Sequence, residues 1–154
     1  MNTAPLPPRL SREESRLQTR AHLLAAAKRL FVDSGFGATS LRDIAAEAGY
    51  TQGAFYSNFA SKEELFVELM RERSKTQVAD IARALSAPSA TGDEILNALE
   101  VWSRTVDAEP EWSVLGVEFK LQGRRNPAFA AASQALLDGH RDGLAYCIEQ
   151  IFAR

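Results

Sequence analysis

The stretch Ser40-Leu-Arg-Asp-Ile-Ala-Ala-Glu-Ala-Gly49-Tyr-Thr-Gln-Gly-Ala-Phe-Tyr-Ser-Asn-Phe59 decides how the rest of the chain is read. Leu41, Ile44, Ala45 and Ala48 recur at the three- and four-residue intervals that put one buried stripe on a short helix. Ser40 is placed to cap its start, and Gly49 permits a left-handed exit from its end. Thr51 can cap a second short helix, in which Phe55 and Phe59 lie one turn apart on the inner face. Two short helices joined through Gly49-Tyr50-Thr51 have the layout of a helix-turn-helix, whose second helix enters the DNA major groove. Ala45, Ala46 and Ala48 keep the helix crossing close. Gln52, Gly53, Ala54, Ser57 and Asn58 give the second helix a small or polar outer face, and Tyr56 and Lys62 can reach phosphates. A short αα-hairpin inside any helical bundle produces the same spacing, so pattern alone leaves both readings open.

Upstream, the proline-rich Met1–Pro8 reads as a disordered lead-in. Ser11-Arg-Glu-Glu14 fits a capping box, Leu23, Ala27, Leu30 and Phe31 continue at helical spacing, and Gly35 is a stop. Downstream, Ser61-Lys-Glu-Glu64 is a second capping box opening a long helix with Leu65, Phe66, Leu69 and Met70, then Ile81 and Leu85. Ala87-Pro-Ser-Ala90 reads as a linker, and Thr91-Gly-Asp-Glu94 caps a helix carrying Ile95, Leu99, Trp102 and Val106. Pro110 and Pro127 each sit where a helix begins, the last running from about Ala128 to the chain end. No stretch alternates as a strand would. The chain reads as all-α, with about seven helices.

At 154 residues, 45% hydrophobic and 25% charged, the composition is that of an ordinary globular protein and excludes disorder of the whole chain. One cysteine excludes an internal disulfide framework or a cysteine-built zinc site. No apolar run approaches the roughly 20 residues that cross a bilayer, and the N-terminus lacks a secretory pattern, so a cytoplasmic protein without membrane partners is expected. The net charge of −2 is unevenly spread. Eight Lys and Arg face five Asp and Glu from Met1 to Lys62, against seven and eleven from Thr76 to Arg154. That bias is a modest pointer to an anionic partner for the N-terminal part.

The segment Gly35-Phe-Gly-Ala-Thr-Ser-Leu-Arg-Asp-Ile-Ala-Ala-Glu-Ala-Gly49, followed by Tyr-Thr-Gln-Gly-Ala-Phe-Tyr-Ser-Asn-Phe-Ala-Ser-Lys-Glu-Glu-Leu65, closely resembles the DNA-binding domain of TetR-family transcriptional regulators. Gly-Ala-Phe-Tyr-Ser-Asn-Phe59 followed by Ser61-Lys-Glu-Glu-Leu65 is its most diagnostic part. The close match runs from about Leu17 to Thr76; beyond it only the succession of helices is similar. The resemblance implies a flexible arm over 1–15, a three-helix, homeodomain-like helix-turn-helix domain over 16–76 with its motif at 40–59, and an effector-binding and dimerisation bundle over 77–154. It also implies that the chain stops two helices short of the family's usual extent.

Its implied function is that of a homodimer on a palindromic operator in double-stranded DNA, usually a repressor, released by a small molecule and needing no cofactor. By position, Thr39, Ser40 and Arg42 would meet phosphates or a base. Thr51, Gln52, Gly53, Ala54, Ser57 and Asn58 would face the groove, and Tyr56 and Lys62 would hold the DNA backbone. The Gln52 amide can pair bidentately with adenine, worth about 1–3 kcal/mol of discrimination, and Arg42 can do the same with guanine or take a phosphate.

Arg9, Arg12, Arg16 and Arg20 are spaced to form one basic stripe that could follow phosphates, or a solvated face neutralised by Glu13 and Glu14. In the C-terminal bundle, Phe66, Met70, Trp102, Trp112, Phe119 and Phe129 are candidates for an apolar effector site, with His140, Tyr146, Gln122 and Arg104 as polar anchors. Most of these aromatics serve equally well as core. An apolar or aromatic effector is the expectation. Gly139 and Gly143 mark close helix approach or a kink, and Cys147 reads as a small buried residue. Two histidines are too few and too far apart for a metal site. No phosphate loop, nucleophile elbow or zinc-protease motif is present, so no enzyme is expected. The rival reading is an interaction module that pairs with a full-length relative without touching DNA.

Overall fold

Ser11 Oγ accepts from Glu14 N–H while the Glu14 carboxylate accepts from Ser11 N–H, the expected capping box, and α1 (Arg12–Ser34) follows. It ends at Gly35, whose φ of 82° only glycine adopts without strain. Then come α2 (Leu41–Glu47), α3 (Gln52–Tyr56), α4 (Lys62–Leu85), α5 (Pro110–Arg125) and α6 (Pro127–Phe152). The computed structural model describes residues 11–85, 100 and 109–152. The proline-rich lead-in, the Ala87–Ala90 linker and, apart from the helical residue 100, the helix expected from Thr91 to Val106 lie outside the described residues, as does the Cys147 side chain. The fold is all-α, with no strand among the described residues.

Local chemistry places each short helix. Ser40 caps α2 by exchanging bonds with Asp43, and Thr51 caps α3 by accepting from Ala54 N–H. Between them Gly49 (φ 77°) lets Tyr50 N–H reach back to Ala45 O at 2.8 Å, which satisfies a carbonyl that α2 would otherwise leave open. At the far end of α3, Ser57 Oγ donates to Gly53 O and Asn58 Nδ2 to Ala54 O, so side chains take over carbonyls the short helix cannot pair. Phe59 therefore falls beyond the helix rather than within it. It is still buried, its ring centroid 5.8 Å from that of Phe55.

At the start of α4 the second capping box is half realised. Ser61 Oγ accepts from Glu64 N–H, but the Glu64 carboxylate reaches Ala60 N–H instead of Ser61. From there α4 runs unbroken across position 76 to Leu85 and packs extensively on α6.

Leu23, Leu24, Ala27 and Phe31 of α1 close over Ile44 and Ala45 of α2, Phe55 and Phe59, and Leu65, Phe66 and Leu69 of α4. This is the core the hydrophobic spacing predicts. It does not stop at the end of the N-terminal module. Phe66 lies 4.9 Å from Phe31, 5.3 Å from Phe36, 5.3 Å from Phe119 and 6.0 Å from Phe129, centroid to centroid, so aromatic contacts continue into α5 and α6. Each such ring contributes roughly 1.5–3 kcal/mol by leaving water.

Candidate nucleic-acid interface

α2 and α3 cross at the alanine-lined turn and leave one face of α3 open. Ser40, Arg42, Thr51, Gln52, Gly53, Tyr56 and Ser57 are exposed, and Ala54 is half-buried. Thr51 Oγ1 and Ser57 Oγ are engaged locally, the first as acceptor from Ala54 N–H, the second as donor to Gly53 O. Each hydroxyl keeps its other role available. Tyr56 is 58% exposed, with its ring edge-on to the buried Phe55, so the phenol stands out from the surface on a fixed base. A Cβ at Gly53 would meet only Thr51 Oγ1, at 3.7 Å, so nothing in the fold demands glycine there.

Three of the sequence-derived contact residues turn their polar atoms inward. Thr39 is buried, and its hydroxyl lies within donating distance of Leu30 O and Gly35 O, at 3.2 and 2.9 Å. Asn58 donates to Ala54 O, and its Oδ1 is buried without a partner. Lys62 Nζ donates to Phe36 O and Thr39 O, both at 2.6 Å, and stands 4.2 Å over the Phe36 ring. Burial draws this ammonium below the usual lysine range. Both carbonyls and the ring face hold its positive charge in place. These three side chains brace the corner between α1, α2 and α4 instead of reaching outward.

Arg20 also turns inward. It belongs to the basic spacing, yet Nη1 donates to Asn58 O at 2.9 Å, Nη2 meets Glu68 Oε1 at 3.4 Å, and the guanidinium covers the Phe59 ring at 4.2 Å. One side chain of α1 thus holds the end of α3 and the first turns of α4. Arg12 and Arg16 are exposed, while Glu14 is occupied by its cap. At the other end of α3, His22 Nδ1 lies 2.9 Å from the Tyr50 hydroxyl. Arg29 Nη2 lies 2.9 Å from Glu47 Oε1 and ties α2 to α1. Sequence spacing missed these ties because partners 18 to 38 positions apart leave no periodic trace.

The effector-site residues separate. Phe66, Phe119 and Phe129 belong to the shared core, each 2% exposed or less and packed ring to ring, and of the three only Phe129 borders a described cleft, one of about 440 Å³ beside Glu64 and Glu68. Met70 packs against the same core. Trp112 lies beneath Lys28 and Arg73, 4.7 and 5.2 Å from its ring. Tyr146 is 62% exposed, and Gln122 donates to Glu118. Trp102, Arg104 and the His140 side chain lie outside the described residues. A cavity of about 460 Å³ does open between α4 and α6, but its described lining contains none of these aromatics. Among the described residues no cluster of metal-ligating side chains occurs, and no helix is long and apolar enough to cross a membrane.

Two short helices crossing at a glycine turn, supported by α1 and α4 and with a small, exposed face on the second, define a helix-turn-helix module. Residues 23–69 match the family model described as bacterial regulatory proteins, tetR family, and over that segment the chain is similar to the TetR family. A 52-residue stretch, 34% of this chain, is 48% identical to the HTH-type transcriptional repressor KstR2 of Mycobacterium tuberculosis, of which it covers 26%. A 94-residue stretch, 61% of this chain, is 32% identical to the HTH-type transcriptional activator FasR of Mycolicibacterium smegmatis, of which it covers 41%. The chain thus spans well under half the length of these relatives. A crystal structure of a TetR-family transcriptional regulator from Mesorhizobium loti superposes on 94% of this chain and 72% of that one, with a TM-score of 0.73 at 20% identity. That likeness shows that the fold extends beyond the matched segment.

Proposed function

We propose that this chain is a sequence-specific, DNA-binding transcriptional regulator that docks α3 in the major groove. The observation carrying this reading is the exposed face Gln52–Gly53–Tyr56–Ser57, held at both ends by α1 through Tyr50 and Asn58. Gln52 reads a base edge. Arg42 and Tyr56, together with the Ser40 and Thr51 hydroxyls, take phosphates, and Gly53 and Ala54 let the helix backbone approach closely. Thr39, Asn58 and Lys62 hold this face in place.

The regulator acts as a homodimer on a palindromic operator in the cytoplasm, in the repressing sense, and is released by a small apolar molecule held between the C-terminal helices. No cofactor or catalytic step enters this reading. In-vitro selection of random DNA duplexes with the 154-residue chain tests it. Enrichment of a palindrome supports both base reading and dimerisation, and a single half-site supports base reading alone. Absence of any enriched sequence overturns the proposal.

A further inference from the structure

Arg71 is shared between two places that matter. It lines the cavity between α4 and α6, and its guanidinium donates to Glu68 Oε2. Glu68 in turn gives Oε1 to Arg20, the residue that holds Asn58 O at the end of α3. A continuous polar chain therefore links the cavity to the DNA-reading helix through one carboxylate. That carboxylate is largely buried, with 17% of its side chain exposed against 25% for Arg20 and 47% for Arg71, so water screens its pair with Arg20 less than its pair with Arg71.

The cavity has a definite chemistry. Val78 and Leu136 supply apolar walls, and Arg71 and Lys75 stand at the cavity as its only charged lining residues among those described. Lys75 has no ion-pair partner among the described residues. The two glycines of α6 behave differently. At Gly143 an added Cβ would press against Val78 at 3.2 Å, so the helices touch there, whereas at Gly139 it would meet nothing within 4 Å and the helices stand apart. On the other side of Arg71 a second cleft of about 440 Å³ carries Glu63, Glu64 and Glu68, which repel anions. Apolar walls with two cations and, among the described residues, no carboxylate suit a molecule with an apolar tail and an anionic head.

We propose that this cavity takes an anionic amphiphile, and that its head draws Arg71 off Glu68 and so loosens the grip of Arg20 on the recognition helix. The inference rests on the effector-released regulator proposed above and names the effector's chemical class and its route. With Arg71 withdrawn, Glu68 has one cation left. The attraction on Arg20 rises, the 3.4 Å pair with Glu68 tightens, and Nη1 is pulled from Asn58 O. The end of α3 then loses its tie to α1. Coupling of this kind lowers DNA affinity by roughly 5- to 150-fold.

The test uses octanoate as probe and octanol as its neutral match, on the full chain without DNA. Binding is followed by titration calorimetry and the guanidinium of Arg20 by its Nε–Hε NMR signal, assigned with Arg20→Lys. Octanoate is expected to bind about tenfold more tightly than octanol and to shift the Arg20 signal. Gly139→Phe, which fills the open part of the cavity, is expected to abolish binding while leaving the thermal midpoint unchanged or higher. Arg71→Gln is expected to place the Arg20 signal at its ligand-bound position with no octanoate present. Equal affinity for octanol, or no effect of Gly139→Phe, overturns the anionic site. Octanoate binding that leaves the Arg20 signal unmoved overturns the route. Since neither readout involves DNA, a failed duplex selection would refute the regulator reading separately.

Discussion

Arg20 Nη1 lies 2.9 Å from the carbonyl oxygen of Asn58, joining the middle of α1 to the turn that ends α3 across 38 positions of sequence. The same guanidinium covers Phe59 at 4.2 Å, so its removal uncovers a core ring as well as a backbone acceptor. Arg20→Met is expected to cost about 1.5–3 kcal/mol, the range for a hydrogen bond to a charged group. Urea unfolding should show a lower midpoint at unchanged slope. A loss under about 0.5 kcal/mol would return Arg20 to the ordinary surface.

Gly53 separates the needs of the fold from those of DNA. It sits in a helix with room for a Cβ, so Gly53→Ala is expected to stabilise the chain by up to about 1 kcal/mol. On a selected duplex the same variant is expected to bind about tenfold or more weakly, because the added methyl stands between helix backbone and base edges. Fluorescence anisotropy beside thermal unfolding gives both readings. Undiminished affinity would place the groove contact elsewhere.

Lys62 and Arg42 are expected to differ under salt. Arg42→Ala removes an exposed guanidinium and should reduce the slope of log affinity against log salt by about 0.9, the value for one phosphate. Lys62→Met should leave that slope unchanged and instead destabilise the fold, since its ammonium is committed to Phe36 O and Thr39 O. Equal changes in slope for the two variants would count against this division.

The caps predict an acid-sensitive reading head. Hydrogen bonds from the Ser40 side chain and then its backbone hold the Asp43 carboxyl below the ordinary aspartate range. The Ser11 backbone and side chain do the same for Glu14. A carboxyl depressed in the folded state contributes stability above its unfolded pKa, and that contribution is lost as pH falls through the folded value. Stability should therefore decline below about pH 4, and Asp43→Asn should flatten part of that decline. Unfolding curves at pH 6 and pH 3 compare the two proteins, and identical pH dependence would remove the cap from the account.

Much of this architecture is legible in the sequence because it is local. Capping residues, glycine stops and helical spacing act within a few positions, so Ser11, Ser40, Gly35, Gly49, Thr51 and the two prolines mark real boundaries. The exposure of Gln52, Gly53, Tyr56 and Ser57 follows from the same spacing. What the spacing could not foresee is where long side chains go once helices pack. Lys62 and Arg20 read as surface cations, and only the approach of α1 to α4 turns them inward. Aromatic content misled in a similar way. Phe66 and Phe119 are as fit for a core as for a binding site, and close ring packing assigns them to the core. The observed cavity is bounded by small residues and cations, a composition that carries no distinctive signal along the chain.

The phenylalanine contacts running from Phe31 through Phe66 to Phe119 and Phe129 leave no seam between the two halves of the molecule. The reading head borrows part of its floor from α5 and α6. A fragment cut after α4 would keep its own side-chain ties but would uncover Phe36 and Phe66, which pack on Phe119 and Phe129. This head is therefore poorly suited to transplantation onto another protein as an independent unit. A change in either half that shifts one of these buried rings is felt by the other.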